Sequence, residues 1–163
     1  MKAPIATLSA VFVATMAYAR LVEHWPYDRL AREADLIVIA TPVSVHDTEE
    51  RTVFPNLVES GTNNIQHQVA AIGVETAFET LAVLKGSTNE TKFVFHHLRD
   101  ARISSPTGES KVIAFNGPLN VAFEPKEKKR FLLFLRREPD GRYASVTGMT
   151  DPSVGIRDLG AYP

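Results

Sequence analysis

Between residues 46 and 125 the chain has no long segment with the apolar spacing of a helix, yet it carries runs that are apolar on both faces of a strand. That combination constrains the fold more than any other feature. "LIVIA" (Leu36 to Ala40) is wholly apolar and rich in β-branched residues, as a buried strand should be. "RFLLFLRRE" (Arg130 to Glu138) is apolar at five consecutive positions. "VAAIGVETAFETLAVLKG" (Val69 to Gly86) alternates: Ala70, Ile72, Val74, Thr76, Phe78 and Thr80 share one parity, while Glu75 and Glu79 lie on the other. Period-two alternation is a strand with one face inward. From Leu81 to Leu84 both parities are apolar, which predicts cover on both sides there. Strands apolar on both faces are common in parallel sheets sandwiched between crossover helices, but the helices are missing. A small closed barrel, filled inside and partly covered outside, satisfies both observations.

The remaining segments supply the pieces. "PYDRLAREA" (Pro26 to Ala34) predicts a short helix, with Pro26 at its start and Leu30, Ala31 and Ala34 as its apolar face. Pro42 interrupts the ladder after "LIVIA" and predicts an edge or bulge. His46 to Gln68 reads as a polar, irregular loop, with "SGTNN" as its turn signal and an apolar island, "TVFPNLV" (Thr52 to Val58), inside it. "TKFVFHHL" is a further strand, residues 99–118 read as loop, and "LNVAF" (Leu119 to Phe123) as a short strand. "RFLLFLRRE" and "GRYASVT" flank "PDG" (Pro139 to Gly141), a hairpin turn in which Gly141 takes the left-handed position. A last strand falls near Val154 to Arg157. The predicted fold is mainly β: a five- to six-stranded antiparallel barrel, like the oligonucleotide/oligosaccharide-binding (OB) fold, with a short N-terminal helix.

Length and charge narrow the class. The 163 residues suit one domain. The 18 basic and 19 acidic residues nearly cancel, giving no whole-molecule attraction to nucleic acid or anionic membrane. With no cysteine, disulfides, thiol catalysis and cysteine metal sites are excluded. At the N-terminus, Lys2 precedes an uncharged stretch, Ile5 to Met16, and the small-x-small sequence Ala17-Tyr18-Ala19. This is the pattern of an export signal at 1–19, cleaved between Ala19 and Arg20, too short to span a bilayer. The mature domain is then residues 20–163, with 17 basic and 19 acidic groups, in a secreted or periplasmic location.

The series "EADLIVIATPVSV", "VETAFETLAVLKG" and "KRFLLFL" resembles the netrin/tissue-inhibitor-of-metalloproteinase-like domain, in a form found in secreted bacterial proteins. The resemblance spans most of the mature chain and implies an OB-like barrel. It does not bring the inhibitor's activity, which uses an N-terminal cysteine to chelate zinc; this chain has no cysteine and lacks the family's disulfides.

No residue is assigned to catalysis, a metal or a cofactor. His96 and His97 are adjacent on a strand and so point to opposite faces. His24, His46 and His67 stand in separate segments, and no HExxH, Gly-x-Ser-x-Gly, phosphate-loop or GxGxxG motif is present. "HDTEE" (His46 to Glu50) groups one imidazole with three carboxylates, either a solvated loop or a cation site. The basic run Lys126, Lys128, Lys129, Arg130, Arg136 and Arg137 brackets "FLLFL" and is interspersed with Glu124, Glu127 and Glu138, which fits charges guarding an aggregation-prone strand better than a nucleic-acid face. The island Val53, Phe54, Pro55, Asn56 and Leu57 is the candidate partner-binding loop, its other reading being a segment folded back to complete the core. The expected function is a secreted, monomeric, non-catalytic binding module for a protein or glycan. The alternatives are a metal-dependent hydrolase using His46, Asp47, Glu49 and His67, and a nucleic-acid-binding OB domain.

Overall fold

A computed structural model of the chain describes residues 21–60, 66–102 and 117–161. The export segment, its Ala19–Arg20 junction, most of "SGTNN" and the "SSPTG" turn lie outside the described residues. The elements are helix α1 (Tyr27–Glu33) and strands β1 (Leu36–Ser60), β2 (Gln66–Lys85), β3 (Lys92–Asp100), β4 (Lys129–Arg137), β5 (Tyr143–Ser145) and β6 (Ile156–Ala161). Five strands bond in a ring in the order β1-β2-β3-β5-β4, closed by pairing of β1 with β4; β6 adds to β4. The OB-like barrel expected from the sequence is therefore present. One rung departs from the antiparallel expectation: β3 and β5 meet in parallel at Phe95 and Tyr143.

The doubly apolar runs now have their explanation. Leu36, Val38 and Ala40 of β1, and Phe131, Leu133 and Leu135 of β4, enter the barrel core with Phe78, Phe93 and Phe95. On the outside, Ile37 and Phe134 pack under Leu30 and Ala34 of α1, joined by Trp25, Ala31 and Leu132. The seven-residue helix is too short to be stable alone and is held by this burial. Lys85 Nζ also donates to the carbonyls of Ala31 (2.8 Å), Arg32 (3.3 Å) and Ala34 (2.6 Å), satisfying orphan acceptors at the negative end of α1.

The core is built on phenylalanine. Phe78 stacks on Phe93 (5.3 Å, 5°), and Phe123 stands edge-on to Phe78 and Phe131, each at 5.0 Å. Residues 119–123 form no strand, contrary to the reading of "LNVAF". Phe123 instead leaves the wall and plugs the interior, where it is fully buried. Such a ring contributes about 1.5–3 kcal/mol through burial.

The larger correction concerns residues 46–60, read as loop. They continue β1, paired to β2 as a long arm. Two wide bulges hid this arm. Residues 48–50 stand opposite Gly73 alone, and residues 54–57 opposite Val69. Through the second, Phe54 and Leu57 turn inward and are buried with Val69, Ala71 and Leu98 as a second core. The last strand lies two residues later than expected, after a 3-10 turn at Pro152–Gly155.

Candidate functional site

Three further irregularities in the β1–β2 ladder shape the outer wall of the barrel. Ile37 pairs with Lys85 and Val38 with Val83, leaving Leu84 unmatched. Ile39 pairs with Ala82 and Ala40 with Thr80, leaving Leu81 unmatched. Pro42 pairs with Phe78 and Ser44 with Ala77, leaving Val43 unmatched, the bulge predicted by Pro42. A bulge pushes its extra residue out of the ladder and re-aims it. All three extra residues are large and apolar, and all are solvent-facing: Leu84 is 61% exposed, Leu81 50% and Val43 49%. The expected double-sided cover over Leu81 to Leu84 is thus absent at Leu81 and Leu84, because parity breaks at each bulge.

Leu81 forms one side of a groove. With Ile39 and Thr41 of β1, Ala82 of β2, and Lys128 and Arg130 at the start of β4, it encloses about 590 Å³. This lies within the range of roughly 300–1,000 Å³ usual for small-molecule sites. The groove begins where α1 stops: Ile37 is buried beneath the helix, whereas Ile39, on the same face, is only partly buried. Its polar edge forms where the β1–β4 ladder ends. The last rung joins Ala40 and Phe131, and beyond it Thr41 Oγ1 donates to the Lys129 carbonyl at 2.9 Å.

Two cations stand at that edge. Lys128 ends the 3-10 turn Pro125–Glu127 with a left-handed backbone, φ 50° and ψ 33°. Among the described residues, no hydrogen bond or ion pair engages its ammonium group, and the side chain is exposed. Its neighbour Lys129 differs, since its Nζ is shared between Glu127 (2.7 Å) and Asp158 (3.6 Å). The basic run is therefore not one surface: Lys129 pairs with Glu127 and Asp158, while Lys128 and Arg130 line the groove, Arg130 being engaged within the fold as well.

The other sequence candidates are used within the fold. Asp47 accepts from Arg99 through both oxygens, Nε to Oδ1 at 2.7 Å and Nη2 to Oδ2 at 2.5 Å. The hydrogen bonds from Arg99 hold the Asp47 carboxyl below its usual range, against the opposing pull of burial. His46 faces Glu75 at 3.3 Å. Gly73 leaves the space through which Glu50 crosses β2, for a Cβ there would lie 2.7 Å from Glu50 Oε2. Glu50 Oε2 then meets His96 Nε2 at 2.9 Å, while Glu138 Oε2, from the β4–β5 hairpin, meets Nδ1 at 3.0 Å. One imidazole thus clasps the arm to the hairpin. His67 pairs with Glu59 far out on the arm, away from His46 and Asp47. His46 and Asp47 are thus engaged with Glu75 and Arg99, away from His67, and among the described residues no three of His, Asp and Glu are grouped so as to hold a metal ion.

His97 points the other way, as the parity rule requires. It stacks on Phe95 at 5.2 Å, and its Nε2 lies 3.1 Å from Thr76 Oγ1. Burial lowers its pKa to about 3.

In OB folds the β2–β3 face, flanked by the β1–β2 and β4–β5 loops, takes the nucleic acid. Here that face is occupied by the chain itself: Phe54 and Leu57 cover Leu98, and Glu50 and Glu138 cover His96. In the island Val53 to Leu57 the two largest apolar side chains are inside, so any contact there falls to Val53, Pro55 and Asn56. The signal for the groove was in the sequence, as apolar residues crowding both parities at Leu81 to Leu84, but the bulges that expose them were not.

No protein-family model matches the chain, and no curated protein matches it either.

Proposed function

We propose that this chain is an exported, non-catalytic binding module that takes its ligand in the groove between β1, β2 and the start of β4. The observation that carries the reading is the exposure of Leu81 beside Ile39 and Ala82 in a concavity of about 590 Å³. Water-exposed leucine in a concave wall is costly to leave empty, and an apolar concavity of this size with a few convergent polar groups is the usual form of a small-molecule site. Export is supported by the signal pattern at 1–19. The resemblance to the netrin/tissue-inhibitor-like domain supports the OB-like barrel that frames the groove and brings none of the inhibitor's activity, since the chain has no cysteine.

Nucleic-acid binding has less support. The usual face is covered by the arm, and the residues over it include the carboxylates Glu50 and Glu138. Single strands need a cationic groove with aromatic platforms. The test is a fragment titration of isotope-labelled protein followed by amide shifts. Perturbations should gather on Ile39, Thr41, Leu81 and Ala82. If they gather instead on the depression lined by Pro55, Asn56 and Thr147 to Asp151, the site assignment is wrong.

A further inference from the structure

The groove is asymmetric, and its asymmetry identifies a class of ligand. Resting on the reading just given, we infer that the groove takes a single-chain anionic amphiphile, a fatty-acid-like carboxylate. Its hydrocarbon lies along Ile39, Leu81 and Ala82, and its head lies against Lys128 and Arg130. Three observations support this.

First, apolar and cationic residues are segregated. β1 and β2 contribute Ile39, Thr41, Leu81 and Ala82, and the cations come from the end of the 3-10 turn, Lys128, and the start of β4, Arg130. The acids beside the cationic end, Glu127 and Asp158, are both taken by Lys129, and Glu79 stands opposite Thr41 on the β2 side.

Second, the wall offers little to a peptide. At Ile39 and Ala40 β1 is paired on both edges, to β2 and to β4, so no ladder edge is open there for a strand to join; only past Ala40, at Thr41, does β1 keep β2 alone as its ladder partner. The one hydroxyl in the lining, Thr41 Oγ1, already donates to Lys129. A polypeptide laid here would bury amides without partners, whereas a hydrocarbon has none to satisfy.

Third, Lys128 sits in a backbone conformation that a non-glycine residue adopts at a cost of about 1–2 kcal/mol. Glycine or asparagine would close the same turn more easily. Left-handed residues cluster at ligand clamps, where the strain is tolerated for what the side chain does. Lysine in this place sets an ammonium group at the polar end of an apolar groove.

The experiment uses three dodecyl compounds below their micellar concentrations: dodecanoate, an uncharged dodecyl glycoside and a dodecyl trimethylammonium salt. Calorimetry on the folded domain should show dodecanoate binding about three- to tenfold more tightly than the glycoside, as expected for exposed ion pairs. The cationic compound should be weakest. Lys128→Gln should reduce dodecanoate toward the affinity of the glycoside, and Leu81→Asn should abolish both. Equal affinity for dodecanoate and glycoside, both lost in Leu81→Asn, would leave the groove as a binding site but overturn the ligand class. Failure of every dodecyl compound to shift groove amides would overturn both. Binding only to anionic vesicles, or a concentration-dependent dimer removed by Leu81→Asn without ligand binding, would replace the amphiphile by a membrane surface or a second copy.

Discussion

His97 shows how far one buried side chain can set the behaviour of the domain. The folded ring stays neutral until about pH 3, because burial among Phe95 and Phe123 penalises its charged form, while in the unfolded chain it titrates near 6.5. The sign follows from which state binds the proton. Above pH 6.5 neither does, and stability is flat. Between 6.5 and about 3 the unfolded chain is protonated and the folded one is not, so stability falls by about 1.4 kcal/mol per pH unit. Asp47 and Asp100 act in a lower window. Burial favours the neutral form of Asp100, but hydrogen bonds from Arg102 outweigh it; for Asp47 the bonds from Arg99 dominate. Their contribution is present above the ordinary value of 3.8 and is lost as pH falls through their lowered folded values. Melting temperature against pH should therefore decline from pH 6.5 downward, and in His97→Gln it should stay level until the carboxylates titrate. A second residue-scale prediction concerns Lys128. Lys128→Gly should stabilise the fold by about 1 kcal/mol by releasing the left-handed strain, read as a higher melting temperature, while weakening dodecanoate binding. A rise in stability without loss of affinity would separate the strain from the site.

At the scale of elements, legibility followed locality. Helix α1, β4 and the Pro139-Asp140-Gly141 turn were readable because their determinants lie within a few residues. Gly141 has φ 92°, and Glu138 N donates to the Arg142 carbonyl at 2.8 Å, as the turn chemistry required. The arm was unreadable because its determinants are distant. His46, Asp47 and Glu50 look like a solvated acidic loop until Glu75, Arg99 and His96, 29 to 52 residues away, answer each charge. Phe123 misled because it is apolar in a strand-like context, yet it packs as a plug and needs no ladder. The groove was hidden by the same means as the arm, since each bulge resets the parity from which burial is read. Gly73 is where this can be tested. An added Cβ would meet Thr48 Oγ1 at 2.6 Å and Glu50 Oε2 at 2.7 Å. Gly73→Ala should push Glu50 off His96 and cost about 1–3 kcal/mol. Amide exchange should accelerate over residues 51–58 while β4 stays protected. Uniform acceleration across the barrel would mean that the arm and ring unfold together.

At the scale of the whole molecule, the described part is a ring wrapped by its own first hairpin. The ring places one apolar core inside; α1 and the arm place two smaller ones outside. What remains uncovered lies between them, and the groove is that remainder. The circuit of strands is not equally strong all the way round. β1 and β2 share a ladder along nearly their full lengths, whereas β3 and β5 are joined by the single rung of Phe95 with Tyr143. The clasp of Glu138 on His96 spans the same junction from outside. That junction is the molecule's seam. Breathing motions should part it first, letting solvent reach the phenylalanines from the side opposite the groove and leaving ligand contacts undisturbed while the cylinder unrolls.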